Sequence, residues 1–448
     1  MSKLEKNDLI DWFVSGEKPR EDWKIGTEHE KFVFHQNSFN RVGYFGKSGI
    51  SELLNKLAQK NNWEKILENN NTIALRDHTG ASISLEPGGQ LELSGKPLEN
   101  LHQTCKETGL HLKMMKDVMS ELGLSMIGLG YDPKWSRSDQ NWMPKGRYEI
   151  MKSYMPKVGN LGLDMMLRTC TIQVNLDYFS EQDMVQKFQI SLALQSVATA
   201  LFANSPFIEG QASGYLSSRA MVWTDTDPDR TGVPGIVFDP NFGYESWLNY
   251  ILQVPMYFIY REGKYIDVSG QSFKDFMDGK LIGFEGQYPT IKDWEDHITV
   301  AFPEVRLKQY LEMRGADGGP WNIICALPAL WVGLLYDDQS QSEAFDLAKP
   351  LMDVGMLEEG RISAAKLGLG GKIGENSIEY LATEMLKISS SGLSRRNKLD
   401  KKGIDERQFL DPLFHILQNK ETGAEKLLKK YNSKWKKDIN RVFIENSF

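Results

Sequence analysis

The sequence predicts an α+β fold, with helices packed outside a largely antiparallel sheet. Two observations carry this. Apolar and polar residues alternate with period two over residues 24–34, 82–86, 90–94 and 168–176, as strands do. Two longer stretches, 98–122 and 180–204, instead repeat apolar residues at helical spacing. No internal repeat or low-complexity linker divides the chain, so residues 1–448 read as a single domain.

Taken in order, the first strand contains IGTEHEKF, where alternation puts Glu28 and Glu30 on one face and Thr27 and His29 on the other. In SISLEPGGQLELSG a Pro-Gly-Gly turn joins two strands, aligning Glu86, Gln90, Glu92 and Ser94 against Leu91 and Leu93. The helix over 98–122 stops at Gly123, and that over 180–204 opens on Ser180 with Asp183 three residues on and stops before Pro206. Between them RTCTIQVNLD alternates Thr169, Thr171, Gln173 and Asn175 with Cys170, Ile172, Val174 and Leu176. In YLEMRGADGG a strand reading sets Tyr310, Glu312 and Arg314 against Leu311 and Met313, followed by Gly315, Gly318 and Gly319. The apolar run 323–336 is 14 residues long and carries Pro328 and Gly333, short of the roughly 18 needed to span a bilayer, and reads as buried core. The tail, 425–448, reads as one basic amphipathic helix with Leu427, Leu428, Tyr431, Trp435 and Ile439 inward and its lysines solvated.

Composition excludes several classes. With 53 Lys+Arg against 60 Asp+Glu the net charge is -7, which opposes nucleic-acid or polybasic membrane binding. At 41% hydrophobic and 25% charged residues the chain has a globular composition. Three cysteines are too few for a disulfide framework or a four-thiolate zinc site, and the N-terminus reads neither as a signal nor as a transit peptide. A cytoplasmic protein is expected.

The chemistry sits on the strands. Side-by-side carboxylates repel unless a cation or a shared proton stands between them. A set of carboxylates and amides without clustered His or Cys fits a hard, oxygen-liganded cation such as magnesium. A solvated sheet face is the better account of any one pair taken alone; three glutamate-bearing segments shift the balance. Phosphate-loop signatures fail: Gly46-Lys47-Ser48 would need glycine at 41, which is Arg41, and the glycines at 368–374 have Ile373 at the third required position. A nucleotide would therefore be bound by metal and arginine.

The segments KIGTEHEKFVF, LEPGGQLELSGKPLE, MPKGRYEIMKSYMPKVG, GLDMMLRTCTIQVNLD, WTDTDPDRTG and FPEVRLKQYLEMRGADGGPW resemble the plant and proteobacterial type of glutamate–cysteine ligase, in order from about residue 8 to the C-terminus. The resemblance implies a glutamine-synthetase-like fold: a curved, mostly antiparallel sheet forming a funnel enclosed by helices. It also implies an ATP- and magnesium-dependent joining of the glutamate γ-carboxylate to the cysteine amine through γ-glutamyl phosphate, the first step of glutathione synthesis.

Carried onto this sequence, the resemblance makes Glu28, Glu30, Glu86, Glu92 and Glu312 candidate magnesium ligands, with Glu28, Glu30 and Arg314 central to catalysis. Arg147, Gln173 and Arg314 fall to ATP, Arg219 to the glutamate α-carboxylate with Trp223 beside it, and Tyr257 and Tyr260 to the cysteine pocket. Cys105 and Cys325 match the positions of a redox-responsive disulfide in plant members. The expected partners are glutamate, cysteine and ATP, with no nucleic acid or membrane, in a monomer or homodimer. Two alternatives remain open at this stage: a related ligase with another amine acceptor, and a glycoside hydrolase, because paired carboxylates and tryptophans also line sugar clefts.

Overall fold

The structure, a computed structural model, describes residues 3–448. Its centre is a nine-stranded sheet. In chain order the strands are β1 (Ile25–His35), β2 (Glu64–Glu68), β3 (Asn71–Arg76), β4 (Ser82–Leu85), β5 (Leu91–Ser94), β6 (Leu124–Ile127), β7 (Thr171–Leu176), β8 (Val305–Leu307) and β9 (Leu311–Asp317). Across the sheet they run β8-β9-β7-β1-β5-β4-β3-β2, with β6 paired to β1, and every pairing is antiparallel. β1 is 11 residues long, enough to pair β5 and β7 with its first half and β6 with its second.

Register brings the distant glutamates together. Glu30 stands opposite Glu92, Glu28 opposite both Ser94 and Gln173, Asn175 opposite Glu312, and Glu312 opposite Arg306. Because side chains alternate between faces, this row shares one face of the sheet. The opposite face carries Ile83, Leu91, Leu93, Ile172, Val174 and Met313, all at most 2% exposed, and helices Leu101–Glu121 and Trp321–Leu335 pack among them.

The helices form where capping and periodicity place them. Asn100 caps Leu101–Glu121 by accepting from Gln103 N at 3.0 Å; Leu98 is extended and exchanges backbone hydrogen bonds with Ile25. Ser180 caps Glu181–Leu201 through Asp183 N at 3.3 Å. The apolar run becomes helix Trp321–Leu335, buried continuously from Ile324 onward. Among the described residues no helix is long and apolar enough to cross a membrane.

Three local expectations are corrected. The strand read from residue 168 begins only at Thr171, because Gly162–Arg168 is a helix in which Arg168 pairs with Asp164 one turn back at 3.1 Å. Tyr310 lies between β8 and β9 rather than in a strand. The tail is two helices, Gly423–Asn432 and Asn440–Asn446; between them Lys436 and Lys437 have φ of 49° and 66°, which no right-handed helix accommodates.

Candidate active site

A cavity of about 1000 Å³, counting the part open to solvent, lies on the polar face of the sheet. Glu28 and Glu30 of β1, Glu92 of β5 and Glu86 of the β4–β5 turn line it. That turn is tightly built. Gly89 has φ +81°, and a Cβ on Gly88 would stand 2.5 Å from the Leu167 carbonyl. Lys145 Nζ donates to the Leu85 carbonyl at 2.8 Å, and Gln90 Nε2 to that of Thr169 at 2.9 Å. Glu86 is thereby presented to the cavity by backbone contacts on both sides.

Among the described residues, no Lys or Arg nitrogen lies within 4 Å of these four carboxylates, and their hydrogen-bond partners are neutral. Glu28 accepts from Asn175 Nδ2 at 2.7 Å, Glu30 from Thr171 N at 2.9 Å, and Glu92 from Ser84 and Ser94 at 3.2 Å. Burial, then the neighbouring carboxylates Glu92 and Glu312, push Glu28 up to about 7. Burial with Glu86 and Glu92 raises Glu30 well above the usual carboxylate range, and burial with Glu86 raises Glu92. A group held this way binds a proton or, better, a multivalent cation.

Four guanidiniums face the carboxylates: Arg147, Arg219, Arg306 and Arg314. Arg314 Nη1 donates to Gln173 Oε1 at 2.7 Å, and Arg219 Nη2 to the Arg314 carbonyl at 2.8 Å. Burial and the nearby Arg306 lower Arg314 to about 10. Arg147 Nε, Arg219 Nε and Trp223 Nε1 are buried without a partner. Unpaired buried donors are costly, and an anionic ligand in this cavity would supply their acceptors. Trp223 stands 5.8 Å from the Arg219 guanidinium.

The cavity thus gathers Glu28, Glu30, Glu86, Glu92, Arg147, Gln173, Arg219, Trp223 and Arg314 from the sequence reading. Three residues fall elsewhere. Glu312 does not line it: its carboxylate pairs with Arg306, with Lys308 at 2.9 Å and with Arg314 at 3.8 Å. Despite burial, these cations hold it well below the usual range. Tyr257 is core, its ring beneath the Arg230 guanidinium at 4.0 Å and its hydroxyl against Met155 Sδ at 3.4 Å. Tyr260 is surface, packed on Tyr265. Phe258, the residue after Tyr257, reaches the cavity instead.

Arg306, Tyr148, Met151, Met166 and Phe258 line the cavity without having been read from the sequence. For Arg306 a signal existed: a turn at 308–310 places it opposite Glu312. Cys105 and Cys325 are buried free thiols side by side, neither of them in the cavity. Burial and the adjoining Cys325 push the Cys105 thiol far above its ordinary range.

The fold and site define an enzyme that sets buried carboxylates without cationic partners against arginines in one cavity on the polar face of an antiparallel sheet. The family description glutamate-cysteine ligase family 2 (GCS2) matches residues 24–445, and the chain belongs to that family. It is 51% identical over 99% of its length to a chloroplastic glutamate–cysteine ligase of Medicago truncatula, covering 85% of that protein. It is 52% identical, again over 99%, to glutamate–cysteine ligase A, chloroplastic, of Oryza sativa subsp. indica, covering 88% of it. The crystal structure of a glutamate–cysteine ligase from Francisella tularensis in complex with AMP superposes with TM-score 0.52 at 13% identity, over 95% of this chain and 88% of that one. It shares the glutamine-synthetase-like α+β fold. The expected cytoplasmic location is overturned: the relatives are named as chloroplastic enzymes.

Proposed function

We propose that this ligase joins the γ-carboxylate of glutamate to the amine of cysteine at the expense of ATP, through γ-glutamyl phosphate, as the first step of glutathione synthesis, within one catalytic domain. The observation that carries the reading is the four uncompensated carboxylates facing four guanidiniums in one cavity. A glycosidase needs one acid and one base, and family membership removes that alternative.

Magnesium fits the donor chemistry. Glu28, Glu30, Glu86 and Glu92 are hard oxygen donors without cationic partners, and they would hold the ion. Among the described residues no three acidic, His or Cys groups form a ready-made cage. Magnesium commonly takes one or two carboxylates and completes its shell with water and substrate phosphates. Held by these carboxylates, the ion would supply positive charge to offset that of the phosphates.

The chain's own residues do the rest. Arg314, anchored on Gln173, and Arg147 bind phosphate oxygens of ATP. Arg219 receives the glutamate α-carboxylate bidentately, with Trp223 as its wall. The substrate γ-carboxylate attacks phosphorus, ADP leaves, and the cysteine amine then displaces phosphate. No protein nucleophile is required, because catalysis is positioning and charge stabilisation. Glu312 serves this site indirectly, by fixing Arg306 and Arg314.

The test is ADP release with glutamate, cysteine and MgATP, repeated with each component omitted, together with mass spectrometry for γ-glutamylcysteine. Release that ignores cysteine, with no dipeptide formed, refutes the reading; efficient use of another amine in its place redirects it to a different acceptor. Glu28→Gln and Glu92→Gln, folded by circular dichroism, are expected to raise the magnesium needed for half-activation by about tenfold or more.

A further inference from the structure

Asp317 closes β9, three residues beyond Arg314, and is fully buried. No lysine or arginine nitrogen stands within 4 Å of it among the described residues. Its partners are instead the ends of two other elements. Oδ2 accepts from Asn204 N at 2.8 Å and from Ser205 Oγ at 2.6 Å, just past helix Glu181–Leu201. Oδ1 accepts from Ser217 Oγ at 2.7 Å, at the start of the short helix Ser218–Val222 that carries Arg219.

The direction of these bonds matters. An ionised carboxylate only accepts, so each serine must point its single proton at Asp317 and turn its lone pairs outward. Those lone pairs are used: Ser205 Oγ accepts from Arg219 N at 3.3 Å, and Ser217 Oγ accepts from Ala220 N at 3.1 Å. The Arg219 side chain meanwhile donates to the Arg314 carbonyl at 2.8 Å. One buried carboxylate therefore fixes the polarity of both hydroxyls that orient the Arg219 backbone. Packing fixes the carboxylate in turn: a Cβ on Gly130 would lie 2.2 Å from Asp317 Cγ.

We propose that Asp317 is the positioning residue for Arg219, setting the guanidinium that receives the substrate carboxylate through the Ser205 and Ser217 hydroxyls without touching the substrate. This rests on the reading of Arg219 given above. Asp317→Asn replaces one of the two carboxylate oxygens with an amide donor, so the hydroxyl that donated to that oxygen loses its acceptor and must redirect its proton, loosening the backbone contact it holds.

The test is steady-state kinetics on Asp317→Asn, Arg219→Lys and the double variant, varying glutamate and MgATP separately. Asp317→Asn is expected to raise the glutamate KM about tenfold while leaving the MgATP KM within about twofold, the loss of one hydrogen bond to a charged group. In the double variant the two effects should be less than additive, because both act through one guanidinium. An unchanged glutamate KM, equal loss for both substrates, or full additivity overturns the proposal. If Arg219→Lys itself leaves the glutamate KM unchanged, the assignment of Arg219 has failed; if only Asp317→Asn is silent, the positioning claim alone has failed. Should Asp317→Asn not fold, Ser217→Ala carries the same expectation and the same overturning results.

Discussion

At the residue scale, burial decides what each ionisable group does. Arg314 is held by Gln173 and faces the cavity, so Arg314→Ala should lower kcat by about 10²–10³ with the fold intact, the usual loss when a preorganised charge stabiliser is removed. His297 shows burial working on stability. It stacks on Phe273 at 4.5 Å, and Nε2 donates to the Ile251 carbonyl at 3.0 Å. Burial pushes it from 6.5 down to about 4. Between these values the unfolded chain takes up a proton that the folded state refuses. Its contribution is therefore complete above pH 6.5 and is lost as pH falls toward 4. Melting temperatures across that window should fall with pH, and less steeply in His297→Phe. The glutamates were legible as residues because period-two alternation is a local signal. Their electrostatics were not, since three of Glu312's neighbours that lower it are cations set by hairpin register and packing.

At the element scale, the sequence located strands and long helices well and their joints poorly. The helix ending at Arg168 and the break at Lys436–Lys437 were hidden because both segments keep an acceptable periodicity while tertiary contacts dictate the backbone. Close crossing of helices is likewise a tertiary matter. Trp321–Leu335 meets Ile378–Arg396 where a Cβ on Gly392 would stand 2.0 Å from the Gly333 carbonyl. Gly392→Ala should therefore destabilise by about 1–3 kcal/mol through overpacking, despite alanine's better helix propensity. Urea denaturation measures this; an unchanged or higher midpoint would contradict the crossing. The buried thiols Cys105 and Cys325 lie side by side where Leu101–Glu121 packs on Trp321–Leu335. We propose them as a reversible redox pair slow to react, because a thiol raised by burial is seldom a thiolate. Both thiols found free by mass spectrometry of unreduced, alkylated protein after mild oxidation would end that proposal.

At the scale of the whole molecule, the tail completes a second core beside the main one. Tyr431, Trp435, Val442 and Phe443 pack with Phe32, Phe34 and Ile127, and Phe448 N donates to the Met126 carbonyl at 3.1 Å. Its lysines are solvated as expected, though Lys430 and Lys434 also pair with Glu445. Trp435→Ala should cost about 3–5 kcal/mol, read as a lowered melting temperature. KM for glutamate and MgATP should stay unchanged in the folded fraction, because the residue lies outside the cavity.

By itself the sequence determined the fold class, the glutamate-bearing strands and the family, all of which rest on local alternation and contiguous segments. Tertiary structure alone decided that Glu28, Glu30, Glu86 and Glu92 share a cavity while Glu312 is compensated behind it, that Arg306 and Phe258 line that cavity and Tyr257 and Tyr260 do not, and that a buried carboxylate at 317 accepts from the hydroxyls flanking Arg219. The physical reason is register: strand pairing and burial set which charges lie within a few ångströms, and no spacing along one strand contains that distance.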